Sequence, residues 1–227
     1  MQRKVLFSPG EYYHIYTRGV EKRKIFLNEK DHERFVALLY IMNQPSAFVF
    51  RDFLRTKKLA DIFNESRELP IVSIVAYCLM PNHLHLILQE HEEGGISKFM
   101  SKILTSYSMY FNLKYKRSGS LFMHPFRSQH INNQSYYLYI HSYIHLNPIS
   151  LIESGWKEVG IKNKKRVEKF LNGYLYSSYL DFQKGDRKEL KILDLSKIPD
   201  YLRKKENLKD YIKYFNKTAK ITKDYPL

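Results

Sequence analysis

The fold turns on residues 70–89: Pro70-Ile71-Val72-Ser73-Ile74-Val75-Ala76-Tyr77-Cys78-Leu79, then Met80 and the pair Pro81-Asn82, then His83-Leu84-His85-Leu86-Ile87-Leu88-Gln89. The first run is nearly all apolar and rich in β-branched residues, as expected of a buried strand. Pro81-Asn82 is a turn signal. The second run returns as another strand, so the pair predicts an antiparallel hairpin at the centre of a sheet. Alternate strand side chains share a face, so His83 and His85 project from the same side.

Working outward, Glu11 to Gly19 reads as a first strand ending at a glycine. Asp31 is placed to cap a helix whose Phe35, Leu38, Leu39 and Met42 recur at helical spacing and which stops near Gln44-Pro45. Residues 45–69 read as an insertion with some helix. After Gly94-Gly95, a long helix is carried by Ile96, Phe99, Met100, Ile103, Leu104, Tyr107 and Phe111. Phe126 to Ile131 suggests a further strand. Asn133 or Ser135 then opens a helix that the residue before Pro148 is expected to end. The order strand, helix, hairpin, helix, strand, helix predicts an α+β fold with helices packed on one antiparallel sheet.

Composition narrows the class. A chain of 227 residues with 44 % hydrophobic content is neither disordered nor short of core. One cysteine, Cys78, excludes a disulfide framework and a cysteine-based zinc site. No apolar run reaches the roughly 18 residues of a membrane span, and Ser8-Pro9-Gly10 interrupts the N-terminus before a signal-peptide core forms. The expected setting is cytoplasmic, with no membrane partner. The net charge of +15 and nineteen tyrosines point to nucleic acid, because cations neutralise phosphates while rings stack on bases. Nucleoid association is the matching expectation.

Two imidazoles on one strand face can chelate a divalent ion, although a structural pair is the commoner meaning of that spacing alone. The helix over residues 135–147 carries Tyr143 and Asn147 four apart, hence on one face. Laid over the sheet, it would bring a phenol and an amide towards the imidazoles.

The wording of these blocks is more specific than their spacing. Residues 76–88, from Ala76-Tyr77-Cys78-Leu79-Met80-Pro81-Asn82-His83-Leu84-His85 onward, resemble the His-hydrophobic-His signature of the single-tyrosine HUH transposases, in particular their REP-associated tyrosine transposase branch. Tyr143-Ile144-His145-Leu146-Asn147-Pro148 resembles the catalytic-tyrosine helix of that branch. Tyr12-Tyr13-His14-Ile15-Tyr16-Thr17-Arg18-Gly19, Gly119-Ser120-Leu121-Phe122 and Tyr174-Leu175-Tyr176-Ser177-Ser178-Tyr179 extend the likeness over roughly residues 11–182. Phe122 to Arg127 replaces a Trp/Gln/Gly-rich version of its segment.

The resemblance implies a ferredoxin-like sheet with both histidines on a central strand. It implies Mg²⁺ or Mn²⁺ held by His83, His85 and Asn147, with Tyr143 as nucleophile. The implied activity is endonuclease and strand transferase on single-stranded or hairpin DNA through a 5′-phosphotyrosine, with Arg127 among the DNA contacts. A homodimer is compatible with it. The alternatives are a non-catalytic binder of structured nucleic acid, such as a domesticated repressor, and a metal phosphoesterase that uses water.

This division gives a transposase domain over 1–182, interrupted by the 45–69 insertion, and a basic helical extension over 183–227. In the extension, Arg203-Lys204-Lys205 is a basic run, and Lys209, Lys213, Lys217 and Lys220 fall at i, i+4, i+8 and i+11. That spacing makes one cationic stripe for DNA, while Leu208, Tyr211, Ile212 and Phe215 face the body.

Overall fold

The computed structural model describes residues 6–183, 185–199, 202 and 208–219. Its sheet has four strands: β1 (Tyr12–Arg18), β2 (Val72–Met80), β3 (His83–Glu90) and β4 (Arg127–His130). They lie in the order β2-β3-β1-β4, and every neighbouring pair is antiparallel. With α1 (Glu29–Ile41) between β1 and β2, and α3 (Gly95–Lys114) between β3 and β4, this is the ferredoxin-like βαββαβ arrangement. The insertion folds as α2 (Phe50–Thr56) and a 3-10 turn (Leu59–Asn64) beside α1.

The hairpin is therefore not centred as expected. β3 is central, but β2 is the outer strand, because β1 enters the sheet on the far side of β3. The exposed edge of β2 is covered by later chain instead. Leu79 N donates to Tyr176 O, Ser178 N to Tyr77 O and Asp194 N to Ile74 O. Covering an edge in this way removes a template for unwanted pairing.

The sheet has a different kind of core on each face. Towards α1 and α3 point Tyr13, Ile15, Leu84, Leu86 and Leu88, all buried. Each fully buried leucine stabilises the fold by roughly 1.5–3 kcal/mol. The other face receives α4 (Gln134–Leu146) and, stacked on it, the C-terminal helix, here α8 (Leu208–Ala219). Between α4 and α8 run α5 (Trp156–Val159), α6 (Lys164–Leu171) and α7 (Tyr179–Gln183). Leu208, Tyr211 and Phe215 are buried, which is the docking face expected of α8.

One local expectation needs correction. α1 is capped by Asn28, whose side chain accepts from Asp31 N while Asp31 Oδ2 accepts from Asn28 N; Asp31 is thus the reciprocal partner of a capping box, not the cap. The Asp31 carboxylate also accepts from Lys114 Nζ at 2.6 Å and from Tyr115 Oη at 2.7 Å, tying α1 to α3. As expected, α4 ends at the residue before Pro148; its C-cap Asn147 keeps helical backbone angles (φ −54°, ψ −39°), and the chain continues as a 3-10 turn, Asn147–Leu151. The pre-proline restriction is overridden there, so Asn147 stays on the same helical face as Tyr143.

Candidate active site

The site forms where β1 and β3 end beneath α4. β3 places His83 and His85 on the α4 side and Leu84 and Leu86 on the other. In register, Tyr16 lies beside His85 on β1, Cys78 beside it on β2, and Arg18 beside His83. Gly19 closes β1 tightly. A Cβ there would stand 2.3 Å from Arg23 O, while its amide donates to Asn82 O in the β2–β3 turn. Only glycine allows that approach, and it fixes the ends of both central strands together.

A cavity of about 360 Å³ opens at this corner, lined by residues that include Arg18, Lys22, His83, His85, Arg127, Tyr143 and Lys157. Four of these are cationic and none is acidic, so the cavity attracts anions. Tyr143 reaches it from α4 and is 4 % exposed. Its ring stands edge-on to His85, with centroids 5.4 Å apart and planes at 90°. Asn147, one helical turn on, is 2 % exposed and touches both His83 and Tyr143, favouring the charged form of each. Its amide Nδ2 has no hydrogen-bond partner.

Burial governs the protonation of the site. It lowers His83 to about 4, helped by the cationic Lys157 and Arg18, and it drives His85 well below the ordinary histidine value. Both imidazoles are therefore neutral at pH 7, the form that binds metal. Burial pushes the Tyr143 phenol up to about 12, against the opposing contact with Asn147. Unaided, that phenol is a poor nucleophile at neutral pH.

The structure brings together His83, His85, Tyr143, Asn147 and Arg127. It keeps Lys209, Lys213 and Lys217 apart from them, exposed on α8. Arg203, Lys204, Lys205 and Lys220 lie outside the described residues.

Two residues were missed by the sequence reading. His14, fully buried on β1, pairs its Nε2 with His85 Nδ1 at 2.9 Å and orients that ring. Its signal was the alternation Tyr12-His14-Tyr16, which could be used only once the β1–β3 register was known. Lys157, on α5, puts Nζ 3.0 Å from the Tyr143 hydroxyl and 4.4 Å from its ring centroid. No motif announces it.

The donor chemistry fits a divalent ion. Two neutral imidazoles lie beside a buried amide whose Oδ1, not its unpaired Nδ2, is the atom able to ligate, and a set this sparse leaves positions for phosphate and water oxygens. Among the described residues no cluster of three or more His, Cys, Asp or Glu could hold a metal, so a third protein ligand here would have to be the amide.

Comparisons place the chain among known proteins. No curated protein matches it. Among solved structures, the one described as "Structure of the REP associates tyrosine transposase bound to a REP hairpin" is similar over 79 % of this chain and 83 % of that one, at 14 % identity and a TM-score of 0.47. The family model "Transposase IS200 like" matches residues 10–147, which run from the approach to β1 through Asn147 and so include both histidines, the tyrosine and the amide. By that match over more than half its length, the chain belongs to the IS200-like transposase family and is a DNA-processing protein.

Proposed function

We propose that this protein cuts and rejoins single-stranded or hairpin-flanking DNA through a covalent link to Tyr143. The observation that carries the reading is that Tyr143, His83 and His85 line one cationic cavity, with Asn147 packed against both Tyr143 and His83. His83, His85 and Asn147 are the residues that would hold Mg²⁺ or Mn²⁺, which when bound polarises the scissile phosphate. The rest is done by the chain. α4 holds the phenol oxygen at the cavity wall, and Arg18, Lys22 and Arg127 around the cavity hold the phosphate backbone. Attack by the phenol oxygen forms a phosphorus–oxygen bond and expels the 3′-oxygen, which takes up a proton from water while the phenol proton passes to water. The 5′-phosphotyrosine keeps the energy of the ester, so a second 3′-hydroxyl can reverse the step without ATP. A non-catalytic binder has no use for a nucleophile and two imidazoles in one cavity with an amide packed against them.

The test is incubation with hairpin DNA carrying single-stranded flanks, plus Mn²⁺, followed by denaturing gels. A DNA adduct on Tyr143, absent in Tyr143→Phe and lost in EDTA, is the expected result. Cleavage without an adduct would leave a water-using phosphoesterase. Metal binding is checked separately by Mn²⁺ titration without DNA, where His83→Ala/His85→Ala should abolish the specific signal.

A further inference from the structure

Lys157 lies outside the family-matched residues, yet its amine touches the oxygen on which the chemistry turns. Its position is built, not incidental. α5 has only four residues, but Trp156 is 3 % exposed and packs on Phe215 of α8 with ring centroids 4.9 Å apart. Phe215 stacks on Tyr139 at 5.3 Å, and Tyr139 on Tyr143 at 6.2 Å. The C-terminal helix, the α5 anchor and the α4 tyrosines thus form one aromatic wall, from which Lys157 turns back over the Tyr143 ring. The residue is exposed overall, so its ammonium could remain hydrated pointing outward; contact with the phenol face and hydroxyl holds it inward.

Resting on the reading of Tyr143 as nucleophile, we propose that Lys157 is a second catalytic residue, whose ammonium meets the negative charge on the Tyr143 oxygen while the phosphorus–phenol bond forms or breaks. In joining, the incoming 3′-oxygen bonds to phosphorus and releases its proton to water. The phosphorus–phenol bond breaks with its electron pair on the tyrosine oxygen, which faces Lys157 and then takes a proton from water. Cleavage runs the same steps backwards, so the lysine serves both directions. A cation already fixed beside a developing oxyanion stabilises it without reorganising at the moment of reaction. Burial lowers the lysine's own proton affinity, and a bound phosphodiester, being anionic, restores it, so the ammonium is present when DNA is.

The experiment measures single-turnover cleavage, and joining from isolated adduct, on flanked hairpin DNA with Mn²⁺. Lys157→Met should slow both about 10- to 100-fold, and Lys157→Arg should recover part of the loss. The decisive arm places 3,5-difluorotyrosine at position 143, whose phenolate needs less stabilisation. There the Lys157→Met deficit in joining should shrink at least threefold. A merely structural lysine would leave it unchanged, and an equal deficit with both tyrosines overturns the proposal. So does a slowdown below about threefold in both steps with the ordinary tyrosine. Absence of any adduct on Tyr143 in the unaltered protein overturns the nucleophile reading, and this one with it. An adduct on Tyr143 that is insensitive to Lys157→Met overturns this one alone.

Discussion

The two faces of the sheet are built from the same strands and do opposite things. On β3, Leu84, Leu86 and Leu88 enter a core of leucine, isoleucine and phenylalanine under α1 and α3, whereas His83 and His85 enter a layer of tyrosines and histidines under α4. The first face is dominated by apolar burial. The second buries His14, His85, His141, His145 and Asn147, groups that cost free energy unless paired. Several are not fully paired: both ring nitrogens of His141 and Asn147 Nδ2 have no hydrogen bond. The α1 side buries Asp31, His32 and Arg34 as well, but most of the buried imidazoles gather on the α4 side, where the cavity is.

The largest expected effect separates the faces by activity. Tyr143→Phe removes a single oxygen on the α4 face. Adduct formation should fall at least a thousandfold, while the thermal midpoint shifts by no more than a few degrees. A variant that still forms adduct would move the nucleophile elsewhere, first to Tyr139, one turn earlier. Leu86→Ala is the mirror experiment. It empties a fully buried position on the α1/α3 side, and should cost about 2–5 kcal/mol in denaturant unfolding. Adduct formation per folded molecule should be retained. Loss of specific activity in Leu86→Ala without loss of stability would show that the two faces are not separable.

A smaller effect tests whether buried imidazoles on the α4 face cost stability. His141 lies between α4 and α8, facing Tyr137, His145, Phe182 and Tyr211. Burial lowers it to about 3. Its unfolded value is the ordinary 6.5 or so, so the unfolded chain binds the proton first as pH falls. The stability tied to a neutral His141 is complete above about pH 6.5 and declines below it by up to about 1.4 kcal/mol per pH unit. Asp181 opposes this: burial raises it to about 7, so its protonation favours the folded state as pH falls. His141→Phe should therefore stabilise by about 1–2 kcal/mol at pH 7, by removing an unpaired buried N–H, and by more at pH 5. A pH-independent difference between the two proteins would show that the imidazole does not titrate as its burial requires.

The sequence disclosed the second face in outline. Period-2 alternation in residues 83–89 assigned His83 and His85 to one side, and helical spacing put Tyr143 and Asn147 together, because both signals are local. What stayed hidden depended on distant chain. The β1–β3 register, which turns His14 into a partner of His85, is set across 71 residues. The outer place of β2 was masked because residues 176–178 and 194 bury its edge, so it reads like a central strand. The proline rule placed the end of α4 correctly, yet Asn147 keeps helical angles as its C-cap, which the rule did not foretell. Lys157 had no periodic neighbour at all. Its place comes from Trp156 and Phe215 meeting across 59 residues of chain.

The smallest effect concerns a surface that belongs to neither face of the sheet. Lys209, Lys213 and Lys217 are exposed on α8, whose other side is pinned to α4 by Leu208, Tyr211 and Phe215. A lysine row at i, i+4 and i+8 can follow a phosphate backbone, or it can simply be solvated. α8 packs on the helix that carries Tyr143, so a strand leaving the cavity can run along it. If the row contacts single-stranded DNA, each lost lysine contact lowers the slope of log K against log salt by about 0.7. Lys209→Gln/Lys213→Gln/Lys217→Gln should then reduce the slope by about 2 and weaken binding several-fold at low salt. Cleavage of saturated DNA should be unaltered, because the substituted side chains lie apart from the cavity. A salt slope identical to that of the unaltered protein would mean that the row faces only water, and would confine the DNA-binding cations to those around the cavity.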